Sequence, residues 1–204
     1  MKLYHLSTGP LKVNTYFLVN ENNKAIVIDS GENYNLIKKT AKEKGFTLEY
    51  ALYTHGHFDH AGNAKKLQDD GVKIVISKID AKKLSNDDNL SKHFGRNFDY
   101  LTPDVTFYDG EVLNLCGIEI KALITPGHTD GSACFIVDNN IFSGDTLFLE
   151  SVGRTDFPSG NRDMLVKSVK RLFALDGDYN VLPGHDDFTT LSHERKYNIL
   201  NEYD

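Results

Sequence analysis

Apolar residues return along this chain in short runs, each closed near a glycine, proline, asparagine or aspartate. That rhythm predicts strands over 13–19, 25–29, 48–54, 72–77, 118–125, 133–137 and 180–182. Between them, 35–44, 61–69, 163–173 and 192–200 repeat apolar side chains at three- and four-residue steps, the period of a helix with one buried face. Strands interleaved with helices predict a mixed α/β (α+β) class. No proline-, glycine- or serine-rich linker divides the pattern, so one domain over 1–204 is expected. The polar, weakly patterned segment 85–102 is expected to be a surface excursion and the most mobile stretch.

The strand pattern carries an internal echo. Ala51-Leu52-Tyr53-Thr54-His55-Gly56-His57 is matched by Ala122-Leu123-Ile124-Thr125-Pro126-Gly127-His128, and the ending returns in Val181-Leu182-Pro183-Gly184-His185. Each time a run that can be buried in a sheet stops at a glycine and delivers a histidine just past the strand end, where a ligand can approach. Three such ends can converge on one cleft, which fits two packed sheets with helices on their outer faces.

Composition narrows the function classes. With 204 residues the chain can bury roughly 70% of its unfolded surface without covalent staples. Its two cysteines, Cys116 and Cys134, are expected to be reduced thiols, and Cys134 lies in a run that looks like strand core. A net charge of −6, from 23 basic and 29 acidic residues, provides no field to gather polyanions, so no nucleic-acid partner is expected. Lys38, Lys39, Lys42 and Lys44 read as one solvated helix face. The first residues lack a secretory pattern and no run approaches the ~20 apolar residues that span a bilayer, so a cytoplasmic protein without a membrane partner is expected. Nothing in the sequence sets the oligomeric state.

The candidate chemistry is concentrated in Thr54-His55-Gly56-His57-Phe58-Asp59-His60. His55 and His57, two apart on extended backbone, turn to the same side and can grip one cation. Asp59 and His60, where a helix begins, can hold a second one close by. A helix N-cap would explain Asp59 alone and leave three histidines unexplained. His128 and His185 each follow Pro-Gly, and Asp145 ends the run Phe142-Ser143-Gly144, where a carboxylate could bridge two ions. Asp29, in Val27-Ile28-Asp29-Ser30-Gly31, is either a carboxylate that orients a histidine or a turn-former. His5, His93 and His193 have no acidic or histidine company at ligand spacing.

Taken in order, His-x-His-x-Asp-His at 55–60, then His128, Asp145 and His185, resembles the metallo-β-lactamase superfamily, from Asn14-Thr15-Tyr16 to Leu182-Pro183-Gly184-His185. The resemblance implies a four-layer αββα sandwich with a metal site along one edge of its two sheets. It implies two divalent ions, zinc first, with iron or manganese also accepted by such donors. His55, His57 and His128 would hold one ion, Asp59, His60 and His185 the other, and Asp145 would bridge them. Asp59 would also orient the attacking solvent.

Within the superfamily the chain is most similar to the glyoxalase II group, the hydroxyacylglutathione hydrolases, and to their short single-domain relatives. Thr125-Pro126-Gly127-His128-Thr129-Asp130-Gly131-Ser132 and Ser143-Gly144-Asp145-Thr146-Leu147-Phe148 carry that likeness. The commonest zinc β-lactamases put a cysteine near the place of Asp145, and flavo-diiron proteins a glutamate at that of His57, so neither activity is expected. The chain runs about twenty residues past His185, with no counterpart of the C-terminal helical domain that grips glutathione. The expected activity is therefore hydrolysis of a small-molecule acyl thioester, an S-2-hydroxyacyl thiol giving hydroxy acid and thiol. The alternative is a persulfide dioxygenase, a family that shares a stretch like Gly153-Arg154-Thr155-Asp156-Phe157 and would bind one iron through His55, His128 and Asp145.

Overall fold

Alternation within the strands builds three separate apolar layers. In the computed structural model, which describes residues 1–203, Tyr16 and Leu18 of one strand point into one core while Phe17 and Val19 point into another. Ile26 and Ile28 against Ala25 and Val27, and Val75 against Ile74 and Ile76, repeat the division.

These strands belong to a first sheet, ordered β1 (Lys2–Thr8), β2 (Val13–Val19), β3 (Lys24–Ile28), β4 (Thr47–Leu52), β5 (Lys73–Ser77) and β6 (Val105–Phe107). Pairing is antiparallel from β1 to β3 and parallel from β3 to β6. The second sheet is formed by β7 (Val112–Leu115), β8 (Ile118–Ile124), β9 (Ala133–Val137), β10 (Asn140–Gly144), β13 (Asn180–Pro183) and β14 (Thr189–Thr190), in that spatial order. A small ribbon, β11 (Leu147–Phe148) with β12 (Ser151–Val152), hangs beside it.

The layer between the sheets takes Phe107 from the first and Ala122, Phe135, Phe142 and Leu182 from the second. The outer face of the first sheet is closed by α1 (Tyr34–Lys44), α2 (Phe58–Ala61) and α3 (Ala64–Asp69), through Ile37, Ala41, Ala61, Ala64 and Leu67. The outer face of the second is closed by α4 (Arg162–Phe173) and α5 (Leu191–Tyr197), through Val169, Leu172 and Leu191. The result is the αββα sandwich of the metallo-β-lactamase fold. Asn33, Asn161 and Thr190 cap α1, α4 and α5 with side-chain oxygens, and Gly45 ends α1 in the left-handed conformation.

Several elements depart from the sequence pattern. Edge strands β1 and β14 and the short β6 and β7 carry half-exposed positions, so their apolar signal is weak and pairing alone defines them. The helix expected over 61–69 is two pieces, because Gly31 bonds His60 and Asn63 across the break (Gly31 N–H to His60 O, Asn63 N–H to Gly31 O). The helix expected over 192–200 stops at Tyr197, and a 3-10 turn follows at Ile199–Tyr203. Segment 85–102 is more than a surface excursion: it buries Asn89, Leu90, Ser91 and Leu101, and the Leu101 N–H reaches Leu84 O at 2.9 Å. Both thiols are free, with Cys134 buried, and no helix among the described residues is long and apolar enough to cross a membrane.

Phe135, fully buried between the sheets and edge-on to Phe107 at 5.6 Å, tests the middle layer. Phe135→Ala should cost about 3–5 kcal/mol in urea unfolding. A loss below about 1 kcal/mol would show that the layer collapses to fill the space.

Candidate metal centre

The carboxyl ends of β3, β4, β8, β10 and β13 meet at one edge of the sandwich, and each delivers a polar side chain just beyond its last paired residue. Asp29 follows β3, His55 and His57 follow β4, His128 follows β8, Asp145 follows β10 and His185 follows β13. Helix α2 adds Asp59 and His60. His57, not Asp59, occupies the N-cap, and Asp59 makes no capping bond. All seven side chains singled out by the sequence therefore meet. The donor atoms of His55, His57 and His128 lie within 4.8 Å of one another, as do those of His55, His60 and Asp145 and those of Asp59, His60 and His185.

Close backbone approach makes this possible. A β-carbon on Gly184 would fall 2.3 Å from Asp145 Oδ1 and 2.7 Å from His60 Cε1, inside the cluster itself. On Gly127 (φ +146°) it would strike the Leu165 backbone of α4 at 2.4 Å.

Hydrogen-bond acceptors behind four of the five imidazoles fix which nitrogen each presents. His128 Nδ1 donates to the Arg154 carbonyl at 2.8 Å and His185 Nδ1 to the Leu11 carbonyl at 3.0 Å. His60 Nδ1 donates to Asp29 Oδ2 at 2.9 Å. Thr54 Oγ1 spends its hydrogen on Asp29 Oδ2 (2.7 Å) and so accepts from His55 Nδ1 at 3.1 Å. Four Nε2 atoms are left to face the shared centre. There His60 Nε2 and His185 Nε2 stand 3.2 Å apart, and His128 Nε2 stands 2.9 Å from His57 Nδ1. His55 Nε2, His57 Nε2 and Asp145 Oδ1 are buried without a hydrogen-bond partner. Lone pairs gathered at this spacing, some with no donor, need a shared cation between them.

The charge balance agrees. Asp29 and Asp145 are buried and Asp59 nearly so, around one point. Burial pushes His55 and His57 well below the usual histidine range, and neighbouring imidazoles push them further. Burial alone would raise Asp145, yet His60 and His185 outweigh it and hold the carboxyl well below its ordinary value. His60 moves the opposite way: burial lowers it, but Asp145, Asp59 and Asp29 lift it well above. The carboxylates thus favour positive charge at the centre, a demand that divalent cations would satisfy. Zinc, iron and manganese all accept such imidazole and carboxylate donors.

Asp29 resolves its two readings by doing both jobs. Its backbone is left-handed (φ 51°), and its carboxylate accepts from Thr54 N–H (2.9 Å), Thr54 Oγ1 and His60 Nδ1. Beneath the other side of the cluster lies a device that sequence reasoning missed. Buried Asp80 accepts from Gly56 N–H and Thr129 Oγ1, each at 2.9 Å, and from the Nζ of buried Lys83 at 2.7 Å. Lys83 also bonds Asp130. One ion pair so ties the loop of His55 and His57 to the loop of His128. In the sequence its only trace is an aspartate and a lysine three apart, which looks like a solvated turn. His5, His93 and His193 lie outside the cluster; His193 pairs with Glu150 at 2.9 Å.

The sequence profile of the metallo-beta-lactamase superfamily matches residues 8–185, and the chain belongs to that superfamily of metal-dependent hydrolases. A probable metallo-hydrolase of Streptococcus pyogenes is 36% identical over 97% of this chain and 89% of its own length. The hydroxyacylglutathione hydrolase GloC of Haemophilus influenzae is 38% identical over 87% of each chain. Among solved structures, the BLEG-1 B3 metallo-beta-lactamase superposes with a TM-score of 0.92 at 27% identity, over 98% of this chain and 99% of that one. A protein crystallised in a di-iron-bound form gives 0.87 at 29%, over 97% and 99%. ETHE1 from Myxococcus xanthus gives 0.82 at 27%, over 98% and 84%.

The Asp80–Lys83 pair provides a test. Lys83→Met leaves Asp80 buried and uncompensated, and should cost about 3–5 kcal/mol in urea unfolding. A cost near zero would mean that water reaches Asp80 and that the two loops are held by other means.

Proposed function

We propose that the cluster holds two divalent ions and that the protein hydrolyses acyl thioesters, in the manner of the glyoxalase II group. The observation that carries this reading is the set of Nε2 lone pairs turned inward by acceptors behind them, beside the unpartnered His55 Nε2 and Asp145 Oδ1. His55, His57 and His128 would take one ion, and Asp59, His60 and His185 the other. Asp145 lies within donor distance of one member of each set, His55 and His60, which suits a bridging carboxylate. Zinc is the first choice, and the di-iron form of a structural neighbour makes iron the second.

Two bound cations would supply a solvent nucleophile at neutral pH and polarise the thioester carbonyl. The protein's own groups do the rest. Asp59 reaches the cleft with Oδ2 3.4 Å from His185 Nε2, placed to accept a hydrogen bond from the attacking water and fix its approach. Asp29, Thr54 and the Arg154 and Leu11 carbonyls hold the imidazoles still, so no reorganisation is needed as the reaction proceeds. Water adds to the carbonyl carbon, the carbon–sulfur bond breaks, and acid and thiol leave with the water's protons shared between them. No nucleophilic side chain is required.

The GloC likeness supports the thioester assignment. The dioxygenase alternative would use one iron on His55, His128 and Asp145, leaving His57, Asp59, His60 and His185 crowded at the centre without a task. Elemental analysis should find two metal ions per chain, and acyl thioesters should be cleaved without oxygen uptake. One iron per chain, with oxygen consumed on a thiol persulfide, would replace this reading with the other. Asp145→Ala should lower metal content and cut turnover by at least about a hundredfold; full metal loading at full activity would remove Asp145 from its bridging place.

A further inference from the structure

The cleft above the cluster has a volume of about 520 Å³, within the range of small-molecule sites. Its two sides differ in chemistry. The floor is polar, with His57, Asp59, His128, Asp145 and His185, while the walls are Phe58, Leu90, Phe94, Phe148, Val152 and Phe157. Three of these rings form a continuous row: Phe58 to Phe94 at 5.4 Å and Phe94 to Phe157 edge-on at 5.8 Å. Phe157 in turn stands edge-on to His57 at 6.1 Å. The row runs from His57 through Phe157 to Phe94, which is 45% exposed at the rim, and turns back to the buried Phe58.

The fold spends strain to hold this wall. Leu90 sits in the left-handed region at φ 67°, which a bulky side chain rarely adopts. Leu90 and Phe94 bring segment 85–102 to the cleft wall. Charge points the same way. Arg154 is the only cation among the described residues lining the cleft, and its guanidinium is already bonded to Asp156 through Nε (2.7 Å) and Nη2 (2.6 Å), with its flat face on Phe157 at 3.9 Å. Asp186 adds a further carboxylate to the lining. Among the described side chains of the lining, an anionic carrier finds no unpaired lysine or arginine, whereas a flat apolar group finds ring edges and faces.

We propose that this aromatic wall makes the protein selective for thioesters with a bulky apolar, arylacyl group on an uncharged thiol, in preference to small acyl groups or a carrier with carboxylates such as glutathione. The reaction invoked rests on the hydrolase reading above; the selectivity rests on the wall alone.

The test uses the metal-loaded protein with acetyl and phenylacetyl thioesters of N-acetylcysteamine and of glutathione. On the neutral carrier kcat/KM should favour phenylacetyl by about tenfold or more, the worth of burying one ring. Moving to glutathione should bring no gain. Phe94→Ala, a substitution at the exposed rim, should reduce the phenylacetyl-to-acetyl ratio several-fold. A ratio near one, a ratio unchanged by Phe94→Ala, or a clear preference for glutathione would overturn the proposal. Calorimetry of phenylacetate against acetate measures the wall without turnover. Tighter phenylacetate binding, lost in Phe94→Ala, would uphold the wall even if no thioester were cleaved, in which case the hydrolase reading alone would fall. Equal binding of the two acids would overturn the wall whatever the turnover.

Discussion

The site depends first on one buried carboxylate. Asp29 stands at the end of β3 in a left-handed conformation and binds the Thr54 backbone, the Thr54 hydroxyl and the His60 ring together. Through Thr54 it also sets the His55 ring. The end of β3, the loop after β4 and helix α2 are thereby held to a common geometry, and two imidazoles are turned so that their Nε2 atoms face inward. A carboxylate this deep is tolerated because three donors satisfy it. Remove that carboxylate and His55 and His60 lose the contacts that fix their tautomers.

The rest of the architecture fixes distances around that carboxylate. The layer between the sheets, with Phe135, Phe107 and Phe142 at its middle, sets the spacing between the sheet that carries His55 and His57 and the sheet that carries His128, Asp145 and His185. Glycines at strand ends then remove the side chains that would keep the loops apart. Gly184 is the sharpest case, since its missing β-carbon leaves the space in which His60 and Asp145 meet. The buried Asp80–Lys83 pair clamps the loops from below. Its contribution is to register rather than to net stability, because the desolvation of both charges offsets much of their attraction.

Much of this was legible along the chain. Largely buried apolar runs marked the central strands β2, β3, β5 and β9, since a strand buried on both faces leaves a near-continuous signal, while β8 showed through its alternation of buried and exposed positions. The recurring turns into His-Gly-His and Pro-Gly-His identified His55, His57, His128 and His185, and the helix start at Asp59 and His60 and the strand end at Asp145 supplied the other three side chains that meet at the centre. Less was legible where exposure dilutes the pattern. β1, β7 and β14 lie at sheet edges, and β10 is a short run between polar residues. Segment 85–102 looked like solvent-facing chain because its few buried side chains, Leu90 and Leu101 among them, are spaced with no period.

What the sequence by itself determined was the kind of chemistry and the kind of layers: residue types, their order, and alternations of two and of three to four residues, all of which are local properties of a chain. Only the tertiary structure decided which nitrogen of each imidazole faces the centre, that Asp29 and Thr54 stand behind His55 and His60, and that Asp80 and Lys83 join two loops. It also decided that Leu90, Phe94 and Phe157 share one wall. Those are contacts between positions separated by tens to more than a hundred residues. No periodicity records them, because each is fixed by how the sheets pack and where their ends fall.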